Sequence, residues 1–118
     1  MTNPVMQFQI LAKQPEETAR FYCDLFGWTV NAANAMGYRR IDTGTSEGIQ
    51  GGIWPAPPQA PNLVQLFISV PDVGETVRKA EGMGARVLIP PTKLPEGDEM
   101  AVLCDPHEMP FAVWRRPA

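Results

Sequence analysis

The sequence predicts an α+β fold built from two βαβββ modules. Three observations carry that prediction: a motif that recurs along the chain, apolar spacing that switches between period two and the helical period, and a proline-rich connector between the copies. QFQILAKQPEETARF, from Gln7, lies over QLFISVPDVGETVRK, from Gln65, at an offset of 58 residues. Ile10 then falls on Ile68, and Glu17-Thr18-Ala19-Arg20 on Glu75-Thr76-Val77-Arg78. Further on, GGIWP (51–55) lies over FAVWR (111–115), with Trp54 on Trp114. The chain reads as a single domain over 1–118, with module one over 5–57 and module two over 63–117. PAPPQAPN joins the modules and cannot continue a central strand.

In module one, VMQFQIL (5–11) alternates and reads as a strand. PEETARFYCDLFG follows as a helix, with Pro15 in its first turn and Gly27 at its end; Ala19, Tyr22, Leu25 and Phe26 form its apolar face. WTVN (28–31), YRRIDT (38–43) and IQGGIW (49–54) read as strands. Module two repeats the order. LVQLFISV (63–70) is a strand, Asp72 with Glu75 makes a capping box, and Val73, Val77 and Ala80 form the helix stripe. GMG (82–84) ends that helix, and RVLI (86–89), MAVLC (100–104) and PFAVW (110–114) are strands. Each helix needs an apolar sheet face to cover, so each module is expected to be one sheet with one outer helix.

The 118 residues suffice for one unstapled core, and the net charge is −3. No basic stretch exceeds Arg39–Arg40 or Arg115–Arg116, which argues against nucleic acid, where affinity comes from many cationic phosphate contacts. No apolar run reaches the roughly 20 residues that span a bilayer, so no membrane partner is expected. MTNPVMQFQI has no basic segment ahead of an apolar one; the expected location is the cytoplasm. Cys23 and Cys104 stand far apart, without metal spacing, and read as buried thiols.

ARFYCDLFGW (19–28), GYRRIDTG (37–44), QGGIWP (50–55), LFISVPDVGETVRKAEGMGARVLIPPT (66–92) and AVLCDP (101–106) together resemble the vicinal oxygen chelate superfamily, the glyoxalase, bleomycin-resistance and extradiol-dioxygenase fold. The chain is most similar to its small bacterial glyoxalase-like members. The resemblance implies an open eight-stranded cleft with outer helices, and a homodimer. It also implies four metal-ligand positions, which fall here on Gln7, Gly52, Gln65 and Ala112. Glycine and alanine have no donor, and amide oxygens are weak ligands without charged partners, so neither a metal nor any other cofactor is expected.

If Gln7 and Gln65 face the cleft, alternation brings Gln9, Leu11, Phe67 and Ser69 to the same side, with Trp54 and Trp114 from the last strands. Met6, Phe8, Ile10, Leu66, Ile68 and Val70 then pack behind. Gly52 and Ala112 are expected to open space between these walls. The ligand-binding set read from the sequence is Gln7, Gln9, Trp54, Gln65, Phe67 and Trp114, a lining suited to a small organic molecule. His107, the only histidine, sits in DPHEMPF, where the family usually has glycine; it reads as an exposed turn residue. Arg40 and Asp42 read as a surface pair. No catalytic residue is assigned, because no His, Asp or Glu falls at the cleft centre. Three functions follow: metal-free binding or sequestration of a small molecule; a lyase- or isomerase-type enzyme acting on a small carbonyl compound, metal-dependent only with ligands from elsewhere; and an interaction module whose two Trp side chains serve an interface.

Overall fold

A computed structural model describes residues 2–32, 38–58 and 60–117. Gly37 of the GYRRIDTG motif and Gln59 of the connector lie outside the described residues. The elements run β1 (Val5–Ala12), α1 (Pro15–Phe26), β2 (Thr29–Asn31), β3 (Arg39–Asp42), β4 (Gly51–Pro55), β5 (Leu63–Ser69), α2 (Val73–Gly82), β6 (Arg86–Lys93), β7 (Glu99–Cys104) and β8 (Pro110–Arg115). The fold is α+β, with βαβββ twice, as the sequence predicts. The chain divides into two compact units, Gln7–Gln65, and Met1–Met6 together with Leu66–Ala118.

In the first unit the strand order is β2-β3-β4-β1. β1 and β4 pair in parallel, Gln9 beside Gly52 and Leu11 beside Trp54. β3 runs antiparallel to β4, with Arg40 opposite Gly52. Ile10, Ala12, Ala19, Ile41 and Ile53 make the core against α1, flanked by Phe8, Tyr22, Trp28 and Val30. Pro15 opens α1, and Gly27 closes it at φ 74°, its N–H donating to the Cys23 carbonyl. Leu25 and Phe26, both expected on the packed face, are 59% and 56% exposed. They stand in the last turn of α1, where Phe26 still meets Trp28, with ring centroids 5.3 Å apart.

In the second unit the order is β5-β8-β7-β6. β5 and β8 are parallel, with Phe67 beside Ala112 and Ser69 beside Trp114. This is the register of Gln9 with Gly52, carried forward by 58 residues on one strand and 60 on the other. Val70, Val73, Val77, Ala101, Leu103 and Val113 form the core under α2. The Asp72 carboxylate accepts from the Glu75 N–H at 2.9 Å, but the Glu75 carboxylate turns to Arg78 instead of closing the box. At the other end Ala85 N–H bonds to the Ala80 carbonyl and Gly84 N–H to that of Glu81, with Gly84 at φ 98°, a Schellman ending.

Two further expectations are corrected. β6 does not stop at Ile89 but continues through Pro90 and Pro91 to Lys93. It lies at the end of its unit's strand order, and its pairing with β7 shifts register on both sides of Ile89, so missing N–H donors are tolerated there. Met6 and Leu66 do not pack behind the sheet; they are 40% and 50% exposed. A helix of 10 residues spans about 15 Å and a strand of 7 about 23 Å. The helix therefore covers the ends of the strands that precede it, Ile68 and Val70, and leaves the starts bare.

Candidate functional site

The face of the first unit opposite α1 is built from alternate residues of β1, β3 and β4. Arg40 stands opposite Gly52, which places Tyr38, two residues earlier, on that same face. The Tyr38 ring lies directly over Gly52, and a Cβ at position 52 would fall on the ring and its hydroxyl. Gln7 Nε2 donates to the Tyr38 hydroxyl at 3.2 Å, and Gln9 Nε2 to the same oxygen at 3.4 Å. The Tyr38 and Trp54 ring centroids are 4.5 Å apart. Three side chains from two strands thus converge on one phenol.

This packing leaves polar atoms without partners. Gln9 is fully buried, and its Oε1 accepts no hydrogen bond among the described residues. Trp54 Nε1 is a buried donor in the same condition. So is Oε1 of Gln65, which is 5% exposed at the start of β5. Each such atom costs about 1–3 kcal/mol when left dry and unpaired, and a protein retains that cost where something else meets the group.

The corresponding face of the second unit is apolar. Phe67, Val102 and Ala112 are buried together, with Ile89, Met100 and Trp114 against them. Phe67 and Trp114 have centroids 5.9 Å apart. Trp114 is fixed at its other end, where Nε1 donates to Asp98 Oδ2 at 2.7 Å.

The expected free space is therefore not there in the form anticipated. Tyr38 covers Gly52, and Ala112 lies under an aromatic cluster, because a position without a side chain invites a neighbouring ring to pack on it. The four ligand positions of the resemblance do not fit a divalent ion. Gly52 and Ala112 supply no donor, Gln7 is engaged with Tyr38, and the Gln65 oxygen is neutral. Among the described residues no three His, Cys, Asp or Glu side chains cluster as a metal set. Cys104 is buried and Cys23 half-buried, both as free thiols.

Arg40 and Asp42 do not pair. The Asp42 carboxylate accepts from the Gly44 N–H at 2.8 Å and closes a local turn, a competition that short acidic side chains regularly win. His107 is exposed, and its N–H donates to Asp105 Oδ1 at 2.8 Å. The residue in the left-handed conformation, where glycine was missed, is Glu108, at φ 67°. It makes an ion pair with Arg86 at 2.8 Å. Backbone N–H groups of Met109 and His107 donate to Asp105 and hold its carboxyl below the usual range. A lowered folded-state value means the contribution is complete above the ordinary carboxylate value, 3.8, and is lost as pH falls beneath it. Asp105→Asn is thus expected to be less stable than wild type at neutral pH, with the gap narrowing in thermal unfolding as pH falls below 3.8. An unchanged gap would show that the charge on Asp105 does not hold the turn.

A groove of about 490 Å³ opens elsewhere in the first unit, between α1 and Asn62–Val64, lined partly by Ala12, Thr18 and Phe21. None of the six residues read as ligand-binding borders it, and it holds none of the unpartnered buried atoms. Of those six, the structure brings Gln7, Gln9 and Trp54 together in the first unit, and Phe67 and Trp114 together in the second. Sequence reasoning missed Tyr38 and Asp98. The alternation that put Arg40 and Asp42 on one face of β3 extends to Tyr38 and carried the signal for it; nothing marks Asp98, which reaches Trp114 from the turn before β7.

The two βαβββ units define a protein of vicinal oxygen chelate type. The chain belongs to the glyoxalase-like domain family, which it matches over residues 7–114. No curated protein matches it. Among solved structures it is similar to an NAD-dependent benzaldehyde dehydrogenase from Legionella pneumophila, at 20% identity and TM-score 0.66, over 92% of this chain and 96% of that one. A methylmalonyl-CoA epimerase holding methylmalonyl-CoA and ammonium gives 17% identity and TM-score 0.64, over 100% and 97%. A protein from Staphylococcus aureus gives 21% and 0.62, over 98% of each chain. At these identities the likeness is one of fold. Among the described residues no helix is long and apolar enough to cross a membrane.

Proposed function

We propose that this glyoxalase-like protein binds a small, planar, uncharged organic molecule without a metal, at the Gln7–Gln9–Trp54 face. One observation carries the reading: a buried acceptor, Gln9 Oε1, and a buried donor, Trp54 Nε1, stand unpartnered beside a pair of aromatic rings. An aromatic wall supplies area, and a few fixed polar atoms supply orientation. The buried groups are neutral, so a charged ligand edge would lose its hydration there without compensation. On the second unit's own face Phe67 and Trp114 are proposed as a separate aromatic contact for a ligand, and Gln65, with its buried unpartnered Oε1, as a further polar one. The donor set at Gln7, Gly52, Gln65 and Ala112 speaks against a metal-assisted lyase or isomerase. Stoichiometric bound nickel or zinc with turnover in a glyoxalase assay would replace this reading. A homodimer remains part of the proposal, to be read by sedimentation equilibrium.

The test is a titration with neutral one- and two-ring aromatic compounds, followed by tryptophan fluorescence and calorimetry. Saturable binding is expected. Gln9→Leu removes the polar partner at nearly constant size and is expected to weaken binding about tenfold, the equivalent of one hydrogen bond. Trp54→Phe, which keeps a ring but loses the N–H, is expected to act in the same direction. Unchanged affinity in both variants would move the ligand away from this face.

A further inference from the structure

Gln9 Oε1 and the Trp54 indole N–H are unpartnered among the described residues, yet they are sealed from solvent, so a ligand cannot meet them unless something moves. The residue packed against both is Tyr38, whose ring faces Trp54 and whose hydroxyl takes the Gln9 amide. Its ring rests on a glycine rather than on a side chain, and faces Trp54. Its hydroxyl oxygen receives two amide donors, at 3.2 and 3.4 Å, both at the long end for a hydrogen bond to a hydroxyl. Glycine at position 52 is what admits the ring, and the same lack of a Cβ leaves a ring-shaped place whenever Tyr38 withdraws.

We infer that Tyr38 occupies its own ligand's place: the site takes a phenol, a single aromatic ring carrying one oxygen, which displaces the Tyr38 side chain, seats its ring between Gly52 and Trp54, and sets its oxygen between the Gln7 and Gln9 amides. This rests on the binding reading above and narrows it. The mechanism is an exchange of one aromatic alcohol for another, with no bond made or broken. Its consequence is a standing reduction of affinity, because the binding-competent state is only the fraction with Tyr38 withdrawn. A ligand that also meets the orphaned Gln9 oxygen or Trp54 N–H gains over Tyr38, which meets neither.

The experiment compares p-cresol, the tyrosine side chain as a free molecule, with toluene, the same shape without the oxygen. Calorimetry on Tyr38→Ala is expected to give p-cresol affinity at least about tenfold above wild type, since removing the internal competitor removes the population penalty. The variant should also prefer p-cresol over toluene by about tenfold, and adding Gln9→Leu should reduce that preference, since only the Gln7 amide then meets the oxygen. Should Tyr38→Ala be too unstable for calorimetry, the larger rise in unfolding temperature with p-cresol than with toluene gives the same reading. Tyr38→Phe keeps the packing but drops the hydroxyl, and is expected to fall between wild type and Tyr38→Ala in p-cresol affinity. If Tyr38→Ala binds p-cresol and toluene equally, or no tighter than wild type does, the exchange is overturned. The broader reading then stands or falls on whether wild type still shows Gln9- and Trp54-dependent binding of other aromatics; loss of both defeats both.

Discussion

Leu103→Ala is expected to destabilise the protein by about 3–4 kcal/mol, the largest effect of any single truncation considered for this chain. Leu103 is fully buried on β7 among Val73, Val77, Ala101 and Val113, the cluster that joins α2 to its sheet. The buried residues of its cluster are β-branched or alanine, stiff at χ1 or too short to collapse into the void, and Phe111 opposite it is the one large ring packed there, so the cavity term adds to the lost transfer energy. Total stabilities of domains this size are about 5–15 kcal/mol, so the loss is a large share of the whole. Denaturant unfolding measures it, with Leu103→Met as the volume-matched control, expected to lose less than about 1.5 kcal/mol. A loss below about 1 kcal/mol for the alanine variant would mean that α2 is held by something other than this cluster.

Gly51→Ala is expected to cost about 2–3 kcal/mol by overpacking, although it adds one methyl group to a strand. Gly51 is buried on β4 beside Phe8 of β1, and a Cβ there would fall within the Phe8 ring. Phe8 cannot simply turn aside, because it also meets Trp28, with ring centroids 6.1 Å apart. A smaller residue at position 8 makes room, so Phe8→Ala is expected to be less damaging in the Gly51→Ala background than alone. A double-mutant cycle should return a favourable coupling of about 1–3 kcal/mol, and additivity would refute the collision. Gly52→Ala is the instructive neighbour. Its methyl meets Tyr38 on the opposite face, where the ring packs on Trp54 and takes two long hydrogen bonds but belongs to none of the buried apolar clusters of the described residues. Its stability cost is therefore expected to be smaller than that of Gly51→Ala, and the displaced ring should instead register in the fluorescence of Trp54.

The adjacent glycines illustrate how the site could be only half read in advance. GGIWP announced itself as a strand, and its match to FAVWR placed Trp54 and Trp114 at equivalent positions. The alternation of β1 and β5 put Gln9 and Phe67 at equivalent register. These are local periodicities, and a strand's period of two is visible in one dimension. What Gly52 faces is set by β3 running antiparallel to β4, with a loop between them whose length no sequence rule fixes. The vacancy inferred from a missing side chain was thus filled by Tyr38. The misreading of β6 has the same origin, since proline breaks a central strand and is harmless on an edge, and only the strand order says which it is.

The sequence by itself determined the family, the duplicated βαβββ order, the two helices with Pro15, Gly27 and Asp72 at their ends, and the absence of charged donors from the four positions that the resemblance marks, because each is a matter of residue identity or short-range spacing. Only the tertiary structure decided that Tyr38 closes over Gly52, that Asp98 steadies Trp114, that Glu108 takes the turn conformation usually left to glycine, and that Gln9 Oε1 and Trp54 Nε1 are buried atoms with unanswered hydrogen bonds. Those are outcomes of packing between residues distant in the chain. There, the shape left by one side chain selects the position of another, and no periodicity encodes it.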